Sequence, residues 1–302
     1  MNLSELITFD QYQTLILLID FIIVTLMLTL VGIKMGIIAN VSSIKELSEK
    51  DNFAFGISFA GALLGLGIMM TGVVSGDASP SLLYELGIVS AYGIVGILLM
   101  ASTRFFFDKI TLRNISVQQQ IADGNLAVGI IDAGNMIATA IIIRAVMVWV
   151  DTEALYGLAI VLVGFVISQL LLVLVTRYRH AVYAKRHNGE CLQAALAQGN
   201  KALSIRYLGH KIGAALTVTA ASGTIAFSES SPFMAILLWG VASVVFVILL
   251  SILAILSRHI ILRGINVVEE VDKQGNVGIG LIEAAIYIIY GLLLAALIAP
   301  SA

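Results

Sequence analysis

The sequence predicts an all-α integral membrane protein of eight transmembrane helices, arranged as two parallel four-helix repeats. Three observations predict it: a shortage of charge, eight long apolar runs, and basic residues confined to alternate loops. Of the 302 residues, 59% are apolar and 12% charged, against roughly 25% charged in soluble domains. So little charge cannot coat a water-exposed surface.

A hydrocarbon core of ~30 Å needs ~20 apolar residues per crossing helix. The first run, 12–33, holds Asp20 as its one charge, and the second, 53–76, and third, 86–103, hold none. The fourth, 126–150, carries Asp132 and Arg144, and the fifth, 155–176, is uncharged. The sixth, 202–227, is the most polar, with Arg206, His210 and Lys211; the seventh, 233–257, is again uncharged, and the eighth, 277–298, carries Glu283. Their abundant glycine suits helices packed through small residues better than barrel strands. Pro80, Pro232 and Pro300 all fall between or beyond the runs, so no helix interior is broken by proline.

Cytoplasmic loops of membrane proteins hold an excess of Lys and Arg. The loops at 34–52, 104–125, 177–201 and 258–276 carry fourteen of the 17 basic residues, and the alternate loops and both ends carry none. Only Arg144, Arg206 and Lys211 lie inside runs. Losing or adding one span would scatter the basic residues over both sides, so the split supports the helix count together with an orientation in which both termini are periplasmic. Residues 1–11 contain no Lys or Arg, and the first run is as long as a full span, so a cleaved signal peptide is not expected.

Residues 52–65 align without gaps on 200–213, matching Asn52, Ala54, Ile57, Gly61 and Gly65 to Asn200, Ala202, Ile205, Gly209 and Gly213. Residues 124–132 align on 275–283, which makes Asp132 and Glu283 equivalent carboxylates. Each copy holds an even number of spans, so the first repeat, 1–151, and the second, 152–302, share one orientation about an axis along the membrane normal.

These motifs, the Asn-x-Ala-x6-Gly-x3-Gly opening of the second helix and the Gly-Asn-x-(Ala/Gly)-x-Gly opening of the fourth, resemble the YjfL-like bacterial inner-membrane proteins, a domain of unknown function (number 350) found in tandem copies. The resemblance runs from about Tyr12 to Ile298. It implies a multi-pass protein of the bacterial inner membrane and carries no activity, substrate or catalytic residue. Arg206, His210 and Lys211 stand where the first copy has Ser58, Ala62 and Leu63, a departure from the apolar pattern.

Ionised side chains at mid-bilayer cost at least ~2.5–3.5 kcal/mol, so such groups face partners or water-filled cavities. Asp132 and Glu283 each lie seven residues past a helix-opening asparagine, roughly 10 Å deep at the helical rise, and Arg206 enters at similar depth. Arg206 is therefore expected to meet Glu283, Asp132 or both, with His210 one turn above it and Lys211 turned toward another partner. Asp20 and Arg144 are expected to pair near the opposite face. Asn135, Tyr287 and Tyr290 could hydrogen-bond within the buried layer. Two readings stand side by side: Asp132, Glu283, Arg206 and His210 form an ion or proton site of a small channel or ion-coupled transporter, or the buried charges only fix helix packing in a scaffold that holds a partner in an envelope-stress or assembly system. Either excludes little about oligomerisation, and a homo-oligomer or a membrane-protein partner is compatible with both.

The remaining signals have plainer explanations. Gly61 and Gly65 fit intrachain packing, and Arg177, Arg179, Lys185 and Arg186 fit topology before lipid anchoring. The segment 104–120 mixes Phe105, Phe106 and Phe107 with charges, as an interfacial amphipathic helix does. His180, His187 and Cys191 make a weak metal pattern, so no metal and no cofactor is expected. A lone cysteine excludes an internal disulfide, a net charge of −2 gives no reason for a nucleic-acid partner, and no nucleotide fingerprint, nucleophile elbow or metalloprotease helix points to an enzyme. The lipid bilayer is the one partner the composition demands.

Overall fold

Backbone polar groups in lipid must be satisfied within the segment, and the described residues, 11–38, 42–75, 81–150 and 155–299 of a computed structural model, meet this with helices and no strand. The long helices are α1 (Gln11–Ile38), α2 (Phe53–Val74), α3 (Leu82–Phe106), α4 (Leu126–Val150), α5 (Leu155–Arg186), α6 (Lys201–Ser222), α7 (Pro232–Ile261) and α8 (Val277–Ile298). Seven of them are long and apolar enough to cross a bilayer. The exception is α6, which matches α2 in its 22 residues but carries the charges of Arg206 and Lys211. The protein is a multi-pass membrane protein in two tandem copies. Pro80, Pro300 and both chain ends lie outside the described residues.

Several helices run past their apolar runs at the basic end, because that end is polar enough to keep charged turns. α5 continues through Arg177 and Arg179 to Arg186, and α7 ends beyond Arg258. Conversely α6 stops at Ser222, short of residue 227. Pro232 is not in a loop but at the first turn of α7, where its missing N–H costs nothing. The expected amphipathic helix over 104–120 is not continuous: α3 ends at Phe106, a π-helical turn follows at Phe107–Thr111, and a short helix spans Val117–Ala122. Phe107 and Leu112 are buried there instead of lying on the membrane surface.

The even-numbered helices form the inner layer, in the spatial order α2, α4, α6, α8. The odd-numbered ones sheathe it: α1 and α3 pack on α2, α5 on α4, and α7 on α6 and α8. α4 is the most enclosed, and α7 the most exposed of the apolar helices. Met, Ile and Leu side chains of α2, α3, α4 and α5 fill the main core.

The local cause of this row is a motif that occurs four times, finer than the two repeats. Before each inner helix stands one residue of positive φ, namely Asp51 (50°), Gly124 (81°), Gly199 (85°) and Gly275 (67°), and then an asparagine. The positive φ ends a short connecting helix and turns the chain. The asparagine caps the next helix: Asn52 Oδ1 accepts from Phe55 N (3.0 Å), Asn125 from Ala127 N (3.0 Å), Asn200 from Leu203 N (2.9 Å) and Asn276 from Ile279 N (3.2 Å). Its amide reaches onward to the following hairpin. Asn52 Nδ2 donates to the Ile121 and Ala122 carbonyls (3.0 and 3.3 Å), and Asn125 to those of Leu196 and Ala197 (3.1 and 3.0 Å). Asn200 donates to those of Val271 and Asp272, both at 3.1 Å. One side chain thus satisfies a helix start and adds a bond to the carbonyls of a neighbouring helix end. Glu46, buried beside Asn52, accepts from Lys50 and from Asn52 Nδ2, and these bonds hold its carboxyl below the usual range.

Below each asparagine the helices touch at small residues. A Cβ on Gly61 would strike Ala133, one on Gly134 would strike Leu208, and one on Gly209 would strike Ala284. In each pair the glycine is nine residues past its asparagine and its neighbour eight past the next. Close backbone approach of this kind is what drives helix association where lipid is as apolar as leucine.

Substituting Asn125→Ala should destabilise the folded protein by about 2–4 kcal/mol, the sum of a lost cap and two lost bonds to carbonyls. Asn125→Asp retains the cap oxygen but has no amide to donate. Thermal unfolding in detergent should therefore find Asp little better than Ala, and full recovery by Asp would reject the bridging role.

Candidate functional site

The two tandem copies use equivalent positions for different chemistry. In the second, Arg206 of α6 meets Glu283 of α8, with Nη1 at 3.3 Å from Oε2. Glu283 is buried, and its other oxygen accepts from Arg258 Nη1 of α7 at 3.2 Å. Arg206 also donates through Nη2 to Asp272, whose second oxygen faces His187 Nε2 at 3.4 Å. The His187 ring stacks on Tyr183, centroids 4.0 Å apart, and its Nδ1 meets the Tyr183 carbonyl at 2.9 Å. A continuous chain of ion pairs results, Arg258, Glu283, Arg206 and Asp272, with the His187 ring at its end. Burial pushes the Asp272 carboxyl up from its ordinary range, with Arg206 and His187 pulling the other way.

A cavity of about 60 Å³ opens onto this chain from the basic end, lined by Arg179, Arg186, Arg206, Arg258, Asp272 and Glu283 among others. That is room for about two waters. His210, one turn above Arg206, lines the same cavity and meets the Tyr287 ring edge-on at 4.0 Å. Its Nδ1 is buried with no hydrogen-bond partner among the described residues. Tyr287 Oη accepts from Arg179 Nη2 at 2.9 Å. A second, apolar groove of about 510 Å³ runs between α5 and α7 and ends on the same Arg179, His210 and Tyr287. His210 therefore stands where a polar cavity and an apolar groove meet.

In the first copy Asp132 is fully buried and does not meet Arg206. Ser58 Oγ, at the place of Arg206, donates to Asp132 Oδ2 (2.5 Å), and Arg104 Nη2 of α3 lies 3.7 Å from the same oxygen. Asp132 lines none of the cavities just described. Lys211 turns away from Glu283 toward the α4–α6 contact, where Nζ donates to Asn135 Oδ1 (2.5 Å), lies 4.3 Å from the Phe107 ring centre and feels the charge of Asp132. Tyr290 Oη pairs with Ser257. The expected Asp20–Arg144 pair does not form: Arg144 Nε donates to Thr71 Oγ1 at 2.9 Å, the hydroxyl supplied by the adjacent α2, while Asp20 on peripheral α1 has a buried Oδ1 without a hydrogen bond among the described residues.

Three contributors, Arg258, Arg104 and Asp272, were not singled out by the sequence, and His187 was read there only as part of a weak metal pattern. Arg258 and Arg104 read as topology-setting loop charges, yet they end equivalent helices and each meets its copy's buried acid. Asp272 stands where the first copy has Ala122, and His187 turns toward it and not toward Cys191. Among the described residues no cluster of three or more metal-ligating side chains occurs.

Comparisons with known proteins agree with this duplication. The family described as Domain of Unknown Function (DUF350) matches residues 8–147 and again 152–298. A UPF0719 transmembrane protein of Aquifex aeolicus (strain VF5) is 26% identical over 103 residues, covering 34% of this chain and 38% of that protein. The chain thus matches well under half the length of that relative. No solved structure matches.

Replacing Glu283 by Gln should strand two guanidiniums and cost about 3–5 kcal/mol of stability, as breaking a buried pair does. In a cycle with Arg206→Gln the losses should be less than additive by about 1–3 kcal/mol. Additive losses in thermal unfolding would reject the pairing.

Proposed function

Since the chain belongs to the DUF350 family, in two tandem copies that both form membrane helices, we propose that it is an ion-translocating protein whose site lies in the second copy alone, at Glu283, Arg206 and His210. The observation that carries this reading is the polar cavity that reaches the buried Glu283 carboxylate from the basic end and shares His210 with the groove between α5 and α7. The lining holds four arginines against two carboxylates, so it repels free cations and favours a small anion, while a proton passes only by hopping between titratable side chains. Glu283 and His210 are the groups able to take up or release a proton along that route, and Arg206 and Arg258 hold Glu283 in place. Asp132, sealed between Ser58 and Arg104, is assigned to helix packing instead.

The same proposal sets the protein in the bacterial inner membrane. All eight long helices cross, α6 among them, shielded by α4, α7 and α8. The Lys and Arg residues face the cytoplasm, and both termini are periplasmic.

Proteoliposomes should show flux driven by a proton or chloride gradient and none driven by sodium or potassium. Glu283→Gln and His210→Ala should lose most of it, whereas Asp132→Asn, if folded, should keep it. Flux no greater than that of empty vesicles under every gradient would overturn the assignment.

A further inference from the structure

The bridge between neighbouring hairpins is used three times and is left half-made at both ends of the row. At the α8 end, the amide of Asn276 reaches no further hairpin among the described residues; it bonds Glu270 of its own connecting turn (2.8 Å) and is exposed, where Asn52 is buried. At the α2 end lies the matching acceptor. The turn Lys45–Glu49 is a π-helix like Glu269–Lys273, and the same backbone bonds close both: Asn52 N to Glu46 O and Asn276 N to Glu270 O, each at 2.8 Å. By that correspondence the Leu47 and Ser48 carbonyls match those of Val271 and Asp272, which accept from Asn200. Within the described residues no donor reaches them.

The side chains agree. Ile121, Leu196 and Val271, which plug the three completed bridges, are 1%, 0% and 0% exposed, whereas Leu47, their counterpart, is 40% exposed. The helix contacts are likewise unpaired. Ala285 is nine residues past Asn276 and Ala60 eight past Asn52, the register of the three close-packed pairs, and both are exposed. Gly129 and Gly280 press on the Ala54 and Ala202 carbonyls; their counterpart Gly56 on α2, and Gly278, which takes the place of Ala54 and Ala202 on α8, meet nothing beyond their own hairpin.

From these complementary half-interfaces we infer that copies of this chain associate head to tail, the α8 edge of one docking on the α2 edge of the next and repeating the contact that joins its own hairpins. The occupant is a second copy because the two edges carry the two halves of one interface, continuous with the three already formed. Such a contact is heterologous, so it closes into a ring or propagates.

The test is cross-linking in native membranes, with Cys191→Ser as background. Ala60→Cys and Ala285→Cys are introduced singly and together, and bridged with a short bifunctional thiol reagent. The double variant should give a ladder of dimers and higher species, each single variant none, and co-expressed single variants dimers only. Self-linking of either single variant would mean a twofold contact and would overturn the inference. So would a double variant that stays monomeric while both thiols react with a lipid-soluble maleimide, since lipid or another protein would then cover these edges. Asn276→Asp, which keeps the oxygen that caps α8 and removes only the amide, should lower the ladder yield several-fold. An unchanged yield would equally count against the bridge.

Discussion

The asparagine amide that spans two hairpins is the constraint on which the architecture rests. A helix start has donors to satisfy, and the carbonyls that end a connecting helix can each take a further bond. Asn52, Asn125 and Asn200 serve both with one short, uncharged side chain. Because each bridge has the same length and direction, it sets the spacing of the inner row, and the small residues one to two turns deeper can then meet in a constant register. Aspartate would cap but could not donate, and glutamine is a methylene too long for the same cap.

On this scaffold the two copies have diverged in charge and not in shape. Ser58 with Asp132 and Arg206 with Glu283 occupy equivalent places at the α2–α4 and α6–α8 contacts. A hydroxyl closes the first into a dry pair. The longer guanidinium in the second reaches past its acid to Asp272, and the extra acid brings His187 with it. Replacing a small residue by a long one at a tight helix contact also opens space, and the cavity lies beside Arg206 and not beside Ser58. The chemistry has therefore followed from side-chain length at one register position.

Much of this was legible in the sequence. Apolar run length and the sorting of Lys and Arg located the helices, and the Asn-anchored alignment placed Asp132 and Glu283 in equivalent surroundings. Depth brought Arg206 level with both Glu283 and Asp132, because all three are counted from capped helix starts, but it did not choose between them. Arg104 and Arg258 were hidden by their position: a basic residue at a helix end sets topology and can also reach inward, and sequence does not separate the two roles. Asp20 and Arg144 failed to pair because depth says nothing about azimuth, and α1 packs on α2 and α3 and not on α4. The fourfold motif was present as an asparagine after Asp51, Gly124, Gly199 and Gly275, but only the bridging bonds reveal that the four are one device.

The polar character of α6 bears on how the chain is made. A segment with Arg206, His210 and Lys211 cannot leave the translocon for lipid unaided, yet Glu283 is 77 residues downstream of Arg206. Asn135 and α4, by contrast, are already synthesised, and Lys211 can find them at once. On the proposed eight-span topology, α6 would pack first on α4 through Lys211 and Asn135 and gain Glu283 only once α8 had followed.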